Sequence, residues 1–497
     1  MNPAEFNNYQ TVSTFESSDR DCLKSDKFRM EEGKAYRQFL AGVVVNIASL
    51  ALGTTLGWTS PVFPKINYGV NATEPDTPFD RRPDEEELSW IGSLVALGAL
   101  IAPFIAGPLA DKIGRKWTLM SSTAFFALSW ILLATTSNIP QTYVARLLQG
   151  FGVGFVMTVQ TMYIGEISTD QYRGALGSFM QLFIVTGILY VYAIGPYVTY
   201  TNLQWICLIP PLAFAAAFFF MPETPYYYTG KNDKINAVKS LQYLRGKSAD
   251  GVQEEALRIQ TAVDEAMKNK GTIKDLVANK GNLKALIICA GLISFQQLSG
   301  INVVLFYSQV IFQKTGSSLE PAIATIIVGI VQVIASGCTP LVVDRLGRKI
   351  ILLVSGIGMA VCHGLLGLYF FLDYMKSDIV PDIGFLPVVS LIGFVTVYCI
   401  GFGPLPWAVL GEMFPANVKS IASSIVASTC WVLGFLVTKY FSALDNAVGS
   451  HWAFWIFGLF CLAAFAFTFT VVMETKGLSL QEIQDRLNSR SSASNDS

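Results

Sequence analysis

Apolar stretches of about twenty residues recur along this chain, with short polar or charged segments between them. At a rise of about 1.5 Å per residue, each is long enough as a helix to cross the roughly 30 Å hydrocarbon core of a bilayer. Twelve such stretches are legible: 39–61, 88–109, 117–136, 141–163, 175–198, 203–221, 283–312, 320–343, 349–372, 385–411, 421–441 and 451–473. The pattern predicts an all-α membrane protein with twelve transmembrane helices in two six-helix halves, 39–222 and 283–473. Segment 223–282 interrupts it. It is charged, with helical spacing over 234–244 and 253–267, and reads as a linker of short amphipathic helices. Residues 1–38 and 474–497 read as polar tails, the serine-rich end from 489 onward as disordered.

Charge placement adds an orientation. Lys24, Lys27, Arg29, Lys34 and Arg37 precede the first span, and 111–116, 223–280 and 344–349 are also basic. Placing these segments inside satisfies the positive-inside rule and leaves both termini cytoplasmic. The longest opposite loop, 62–87, carries the sequon at Asn71, on the side where glycosylation occurs. The first 37 residues have no apolar core of the signal-peptide kind, so the first span is expected to serve as the insertion signal. Plasma membrane is the expected location.

Composition narrows the function classes. Only 14% of residues are charged and 52% are hydrophobic, against about 25% charged in a soluble domain. A net charge of −1 gives no reason to expect nucleic acid. The eight cysteines and two histidines show no metal spacing, and no nucleophile and base are paired. No cofactor, metal or catalytic residue is therefore expected, and the chain does not read as an enzyme. His363 reads as a packed polar residue.

The halves repeat each other. Asp111, Gly114, Arg115 and Lys116 follow the second span, and Asp344, Gly347, Arg348 and Lys349 follow the eighth. Glu166 precedes Arg173 by seven residues, and Glu412 precedes Lys419 by seven. Glu223-Thr224 follows the sixth span, and Glu474-Thr475 the twelfth. Matched signals at matched places argue for duplication, and parallel six-span repeats are a transporter architecture. One polar intrusion also needs an account. Gln296, Gln297, Ser299 and Asn302 lie inside the seventh apolar stretch, where unpaired amides are costly. On a continuous helix Gln296, Ser299 and Asn302 form one slowly drifting strip. Such groups read hydroxyl-rich ligands, or they hold helices together.

With these motifs, Gly403 to Trp407 and Glu474 to Gly477 added, the chain resembles the sugar porter branch of the major facilitator superfamily over nearly its whole length. Within it, the chain is most similar to insect facilitated trehalose and glucose transporters, with Val437, Thr438 and Lys439 after Trp431 fitting that group. The resemblance implies alternating access around a central site. It places sugar contacts on Gln181, Gln296, Gln297, Asn302, Gln332 and Trp407, with Trp431 flanking them; for Trp431 core packing is the competing account. It implies a cytoplasmic gate of Asp111, Arg115, Glu166, Arg173, Glu223, Asp344, Arg348, Glu412, Lys419 and Glu474, whose bonds hold the inner side shut while the site faces out. Lys419 stands where the family usually has Arg, and Tyr226 replaces another.

Departures at the site carry information. Gln332 and Cys399 stand where glucose transporters usually have Asn and Glu, and Cys430 and Gly434 replace two Asn. Smaller side chains there predict a roomier site that admits a second glucose unit. Proton-coupled relatives place an Asp in the first span, where this chain has Gly57-Trp58-Thr59 and no carboxylate between 39 and 61. Arg146 then lacks an acidic partner and is expected to snorkel outward or line the outer vestibule. Uniport by a monomer, with a small sugar and the bilayer as its only partners and no coupling ion, is the expected mechanism. A non-transporting sensor of the same fold, or a porter for another polyol or monosaccharide, are the rivals; a sensor would carry longer tails than 474–497.

Overall fold

In the computed structural model, residues 36–66, 76–169, 171–268, 272–314, 319–478 and 480–492 are described. Among them every regular element is a helix. Twelve are long and apolar enough to cross a membrane: Tyr36–Ile66, Glu85–Ile113, Arg115–Ala134, Ile139–Ile167, Arg173–Tyr197, Tyr200–Phe218, Lys280–Lys314, Pro321–Val343, Arg348–Tyr374, Leu386–Met413, Asn417–Val448 and Ser450–Thr470. These are the first to twelfth spans below. Asn71 lies outside the described residues, as does the side chain of Asp344.

The first six spans form one half and the last six the other. Within each, the second helix packs on the fourth and the first on the fifth; the ninth packs on the twelfth in the second half. The halves meet along two seams, the second span against the eleventh and the fifth against the eighth. The linker helices and Leu480–Ser492 define a tail face; the opposite surface is the far face.

Several spans are not straight, and sequence chemistry explains where they yield. The first span breaks at Trp58. The tenth divides into Leu386–Ile400 and Leu405–Met413 around Gly401 to Pro404, because proline 404 and proline 406 remove donors there. The fourth carries one π-helical turn, Val156–Gln160. Its Gln160 donates to Asn46 Oδ1 (2.7 Å) and accepts from Ser49 (2.9 Å), a buried tie to the first span.

The seventh span departs from expectation. It is two helices, Lys280–Leu298 and Ile301–Lys314, joined through Gly300 at φ +81°. A left-handed residue cannot continue a right-handed helix, so the predicted strip is interrupted. Ser299 lies off it: its hydroxyl donates back to Gln296 O (2.7 Å), and its carbonyl is 2.8 Å from His363 Nε2. His363 is a packed polar residue against the break.

The linker holds Pro225–Gly230, Lys234–Arg245, Gln253–Lys268 and Ile273–Ala278. The tail is more ordered than its composition predicts. Leu480–Ser492 is a helix whose Ile483 and Leu487 are buried, and Gln484 donates to Met413 O (2.7 Å). An apolar pair four residues apart outweighs the serine-rich composition over Ser489 to Ser492. Residues 493–497 lie outside the described residues.

Candidate functional site

A cavity lies between the halves, walled by residues of both. Gln181, Gln296, Gln297, Asn302, Gln332, Trp407 and Trp431 all line it. The break in the seventh span brings its amides together. Asn302 Nδ2 donates to Gln297 Oε1 (2.7 Å), and Gln297 Nε2 donates to Cys430 Sγ (3.1 Å) and more weakly to Gln296 Oε1 (3.3 Å). Gln296 does two jobs. Its Nε2 also donates to the carbonyls of Phe402 and Gly403 (2.6 and 2.8 Å), pinning the seventh span to the break in the tenth. Gln332 is buried, with its Oε1 unpartnered. Trp407 and Trp431 are half-buried on the cavity wall.

Two of the small residues lie on the wall of this site. Cys399 and Cys430 line the cavity. A Cβ on Gly434 would come within 3.1 Å of Asn302 Nδ2 and 3.2 Å of Gln297 Oε1, so the glycine lets the paired amides pack closely against the eleventh span. Leu52, Met157, Ile184, Ile188 and Tyr398 also line the cavity and were not singled out in the sequence. They are apolar or lie in apolar runs, so hydropathy cannot tell them from lipid-facing neighbours.

At the tail face two matched networks form, each inside one half. Arg115 Nε donates to Glu166 (3.0 Å), and Arg115 also pairs with Asp111 (3.1 Å). Thr224 donates to the second oxygen of Glu166 (2.5 Å), and Glu223 accepts from the Lys116 backbone N–H (2.8 Å). In the second half Arg348 pairs with Glu412 (2.9 Å), Thr475 donates to Glu412 (2.6 Å), and Glu474 accepts from the backbone N–H groups of Arg348 and Lys349 (2.9 and 3.0 Å). Glu223 and Glu474 thus cap the third and ninth spans, where a carboxylate meets a helix N-terminus. Thr224 and Thr475 were missed as functional residues; their signal was the repeated Glu-Thr pair itself.

The two caps differ electrostatically. Burial pushes the Glu223 carboxyl up from its ordinary range. Burial also pushes Glu474 up, but the N–H groups of Lys476, Arg348, Lys349 and Thr475 outweigh it and hold the carboxyl low. Lys419 does not join the Glu412 carboxylate by a hydrogen bond; its Nζ donates to the Gly411 carbonyl (2.6 Å). An ammonium is a point donor and settles on the nearest carbonyl. Arg173 opens the fifth span at the same face.

At the far face the halves are tied to each other. Lys439 donates to Ser89 (2.8 Å), lies 3.6 Å from Glu86 and sits over the Trp90 ring (4.4 Å). Ser442 and Asn446 both donate to Glu85. The Gln309 N–H donates to Ser60 (3.2 Å), and the Tyr192 hydroxyl to Leu305 O (2.6 Å).

The snorkelling expectation for Arg146 is overturned. The side chain is fully buried. It donates to Ile91 O (2.9 Å), Thr55 O (3.2 Å) and Gln149 Oε1 (2.6 Å), and lies over the Trp58 ring at 4.8 Å. Carbonyls and an indole face solvate the cation where a carboxylate would otherwise do so.

Comparisons with known proteins agree with this architecture. The family described as Sugar (and other) transporter matches residues 43–487. The facilitated trehalose transporter Tret1 of Bombyx mori is 35% identical over 456 residues, covering 92% of this chain and 88% of that protein. Its counterpart in Culex quinquefasciatus is 36% identical over 452 residues (91% and 86%), and that of Apis mellifera ligustica 35% over 487 (97% and 95%). Among solved structures, the partially occluded inward open form of the xylose transporter XylE from E. coli superposes with a TM-score of 0.74 at 23% identity, over 90% of this chain and 100% of that one. The proton:xylose symporter XylE bound to 6-bromo-6-deoxy-D-glucose gives 0.71 at 23%, over 91% and 99%.

Proposed function

The chain belongs to the sugar transporter family, whose members here are carriers rather than enzymes, and on that premise we propose that it is a facilitative carrier of trehalose, glucose or both, working by alternating access. The observation that carries the reading is the cavity between the halves. Paired amides of Gln297 and Asn302, the open acceptor of Gln332 and two indole faces suit a ligand bearing a hydroxyl on each carbon. The short side chains of Cys399 and Cys430 on the cavity wall support a disaccharide, because they leave more room beside the amides than longer polar groups would.

The far face is the external one in this reading, so the sealed far face describes the inward-facing state. Asn71 then lies in the external loop, and loss of a glycosidase-sensitive mass in Asn71→Gln tests both its modification and the orientation. The two tail-face networks clamp each half as a rigid body and stay formed while the far face is shut. Rocking therefore runs on breaking the far-face ties and on contacts between the halves, with the networks keeping each half intact. Arg146 supports uniport. Its surroundings supply neutral acceptors and an aromatic face in place of the first-span carboxylate, so the site lacks the acid that would carry a proton.

The test is zero-trans uptake of labelled trehalose, with glucose alongside, in cells lacking their own sugar carriers. Saturable trehalose uptake unaffected by a protonophore is expected. Glucose uptake alone would overturn the disaccharide reading, and collapse on protonophore addition, at constant gradient and surface expression, would overturn uniport.

A further inference from the structure

A second pocket opens at the far face. Its floor is aromatic: Phe63, Tyr307, Phe441 and Phe454 are all buried, with Phe63 5.3 Å from Tyr307 and Tyr307 5.3 Å from Phe441. Its rim is polar. Glu85, Asn446 and Lys314 are exposed there, and Ser442, Asp445 and Ser450 stand behind them. The rim groups are already oriented: Lys314 pairs with Asp445 Oδ2 (2.6 Å), Ser450 donates to Asp445 Oδ1 (2.6 Å), and Glu85 accepts from Ser442 and Asn446. Each Asp445 oxygen accepts one of these bonds and keeps a lone pair for a further donor, whereas Glu85 accepts both of its bonds on Oε2.

This pocket shares no lining residue with the central cavity. A thin layer separates them. It is centred on Gly92, where an added Cβ would lie 3.4 Å from Thr438 Cγ2, 3.6 Å from the Phe63 ring and 3.8 Å from the Tyr307 hydroxyl. The Tyr307 hydroxyl and the Thr438 methyl meet there, and the hydroxyls of both residues are buried without a partner. Thr438 lines the central cavity and Tyr307 the outer pocket, so these two side chains stand between the two spaces.

We propose that the far-face pocket is an outer saccharide site, which holds one pyranose ring of an external sugar while the central site faces the other way. Flat rings cover the C–H face of a pyranose, and the Asp445, Glu85 and Asn446 side chains read its hydroxyls. When the far-face ties release, the ring has a short path inward past the Tyr307 and Thr438 hydroxyls. The proposal rests on the sugar-carrier reading and adds to it a site that is occupied before the central one opens.

Ser450→Cys places a thiol on the pocket rim, to be labelled in intact cells with a membrane-impermeant maleimide and compared with the unsubstituted chain. External trehalose or glucose should slow labelling several-fold and saturably. The protection should persist in Ser450→Cys/Gln297→Ala, whose central site is damaged, and should be lost in Ser450→Cys/Asn446→Ala. Absence of protection in a chain that still takes up sugar would overturn the outer site alone. Protection that vanishes with Gln297→Ala would also overturn it, since the effect would then report central occupancy. Absence of uptake in the unsubstituted chain would instead remove the carrier reading, and the outer site with it.

Discussion

Gln297 sits at the centre of a relay, accepting from Asn302 and donating to Gln296 and Cys430. Removing it orphans those groups as well as the ligand. Gln297→Ala is expected to lower kcat/KM for uptake by about tenfold to a hundredfold, the equivalent of roughly 1–3 kcal/mol of hydrogen bonding, with normal surface expression. Gly434→Asn acts on the same amides from the other side. Its side chain would press on Asn302 and Gln297 and push them toward the cavity. The ratio of trehalose to glucose uptake should fall, and an unchanged ratio would count against the enlarged site. Arg146 shows how far a single residue escapes local reading. Hydropathy places it about one turn into a span, within reach of the interface. Its burial is decided by Ile91 and Thr55, whose carbonyls come from two other helices.

At the scale of the element, breaks matter more than helices. Gly300 holds a conformation that side chains rarely adopt, and a Cβ there would come within 2.9 Å of the Phe457 ring. Gly300→Ala is expected to cost about 1–2 kcal/mol from the left-handed backbone alone. It should also disturb the register of Gln297 and Asn302, lowering both the apparent melting temperature in detergent and uptake. The two helix caps make a pH prediction. Glu474 is held low, so its stabilising contribution is present above the ordinary carboxylate range and is lost as pH falls through its depressed value. Glu223 is held high, so its charged form is disfavoured in the fold and the sign reverses: its ionisation costs stability as pH rises. Glu474→Gln should therefore lower thermal stability at neutral pH by about 1 kcal/mol, and less in acid. Glu223→Gln should cost less than Glu474→Gln at neutral pH. Equal losses that do not depend on pH would show that the caps do not differ.

For the whole molecule, the decisive contacts are those between the halves at the far face. Lys439 binds Ser89, Glu86 and the Trp90 face together, and Glu85 holds Ser442 and Asn446. Ser60 is fully buried behind these ties. Lys439→Met should shift the population toward a far face that is open. In a Ser60→Cys background, labelling by an impermeant maleimide should then rise several-fold. An unchanged rate would mean that apolar packing alone keeps the far face closed.

Much of this was legible in the chain itself. The twelve spans follow from apolar runs, which are local and one-dimensional, and the reading of two halves with a linker follows from the spacing of those runs. The same is true of the matched loop motifs that announce the family. What the chain could not disclose is how buried polar groups are satisfied, because their partners lie far away in sequence. Gln296 meets Phe402 and Gly403, Thr224 meets Glu166, and Arg146 meets Thr55. The break at Gly300 belongs to the same class. Glycine permits a left-handed turn but does not require one, and only packing against Phe457 and His363 makes it the better choice. The sealed far face, too, is a property of two surfaces meeting. Composition and hydropathy set which segments enter the membrane; the tertiary structure decides which of their polar atoms face each other and which are left for a sugar.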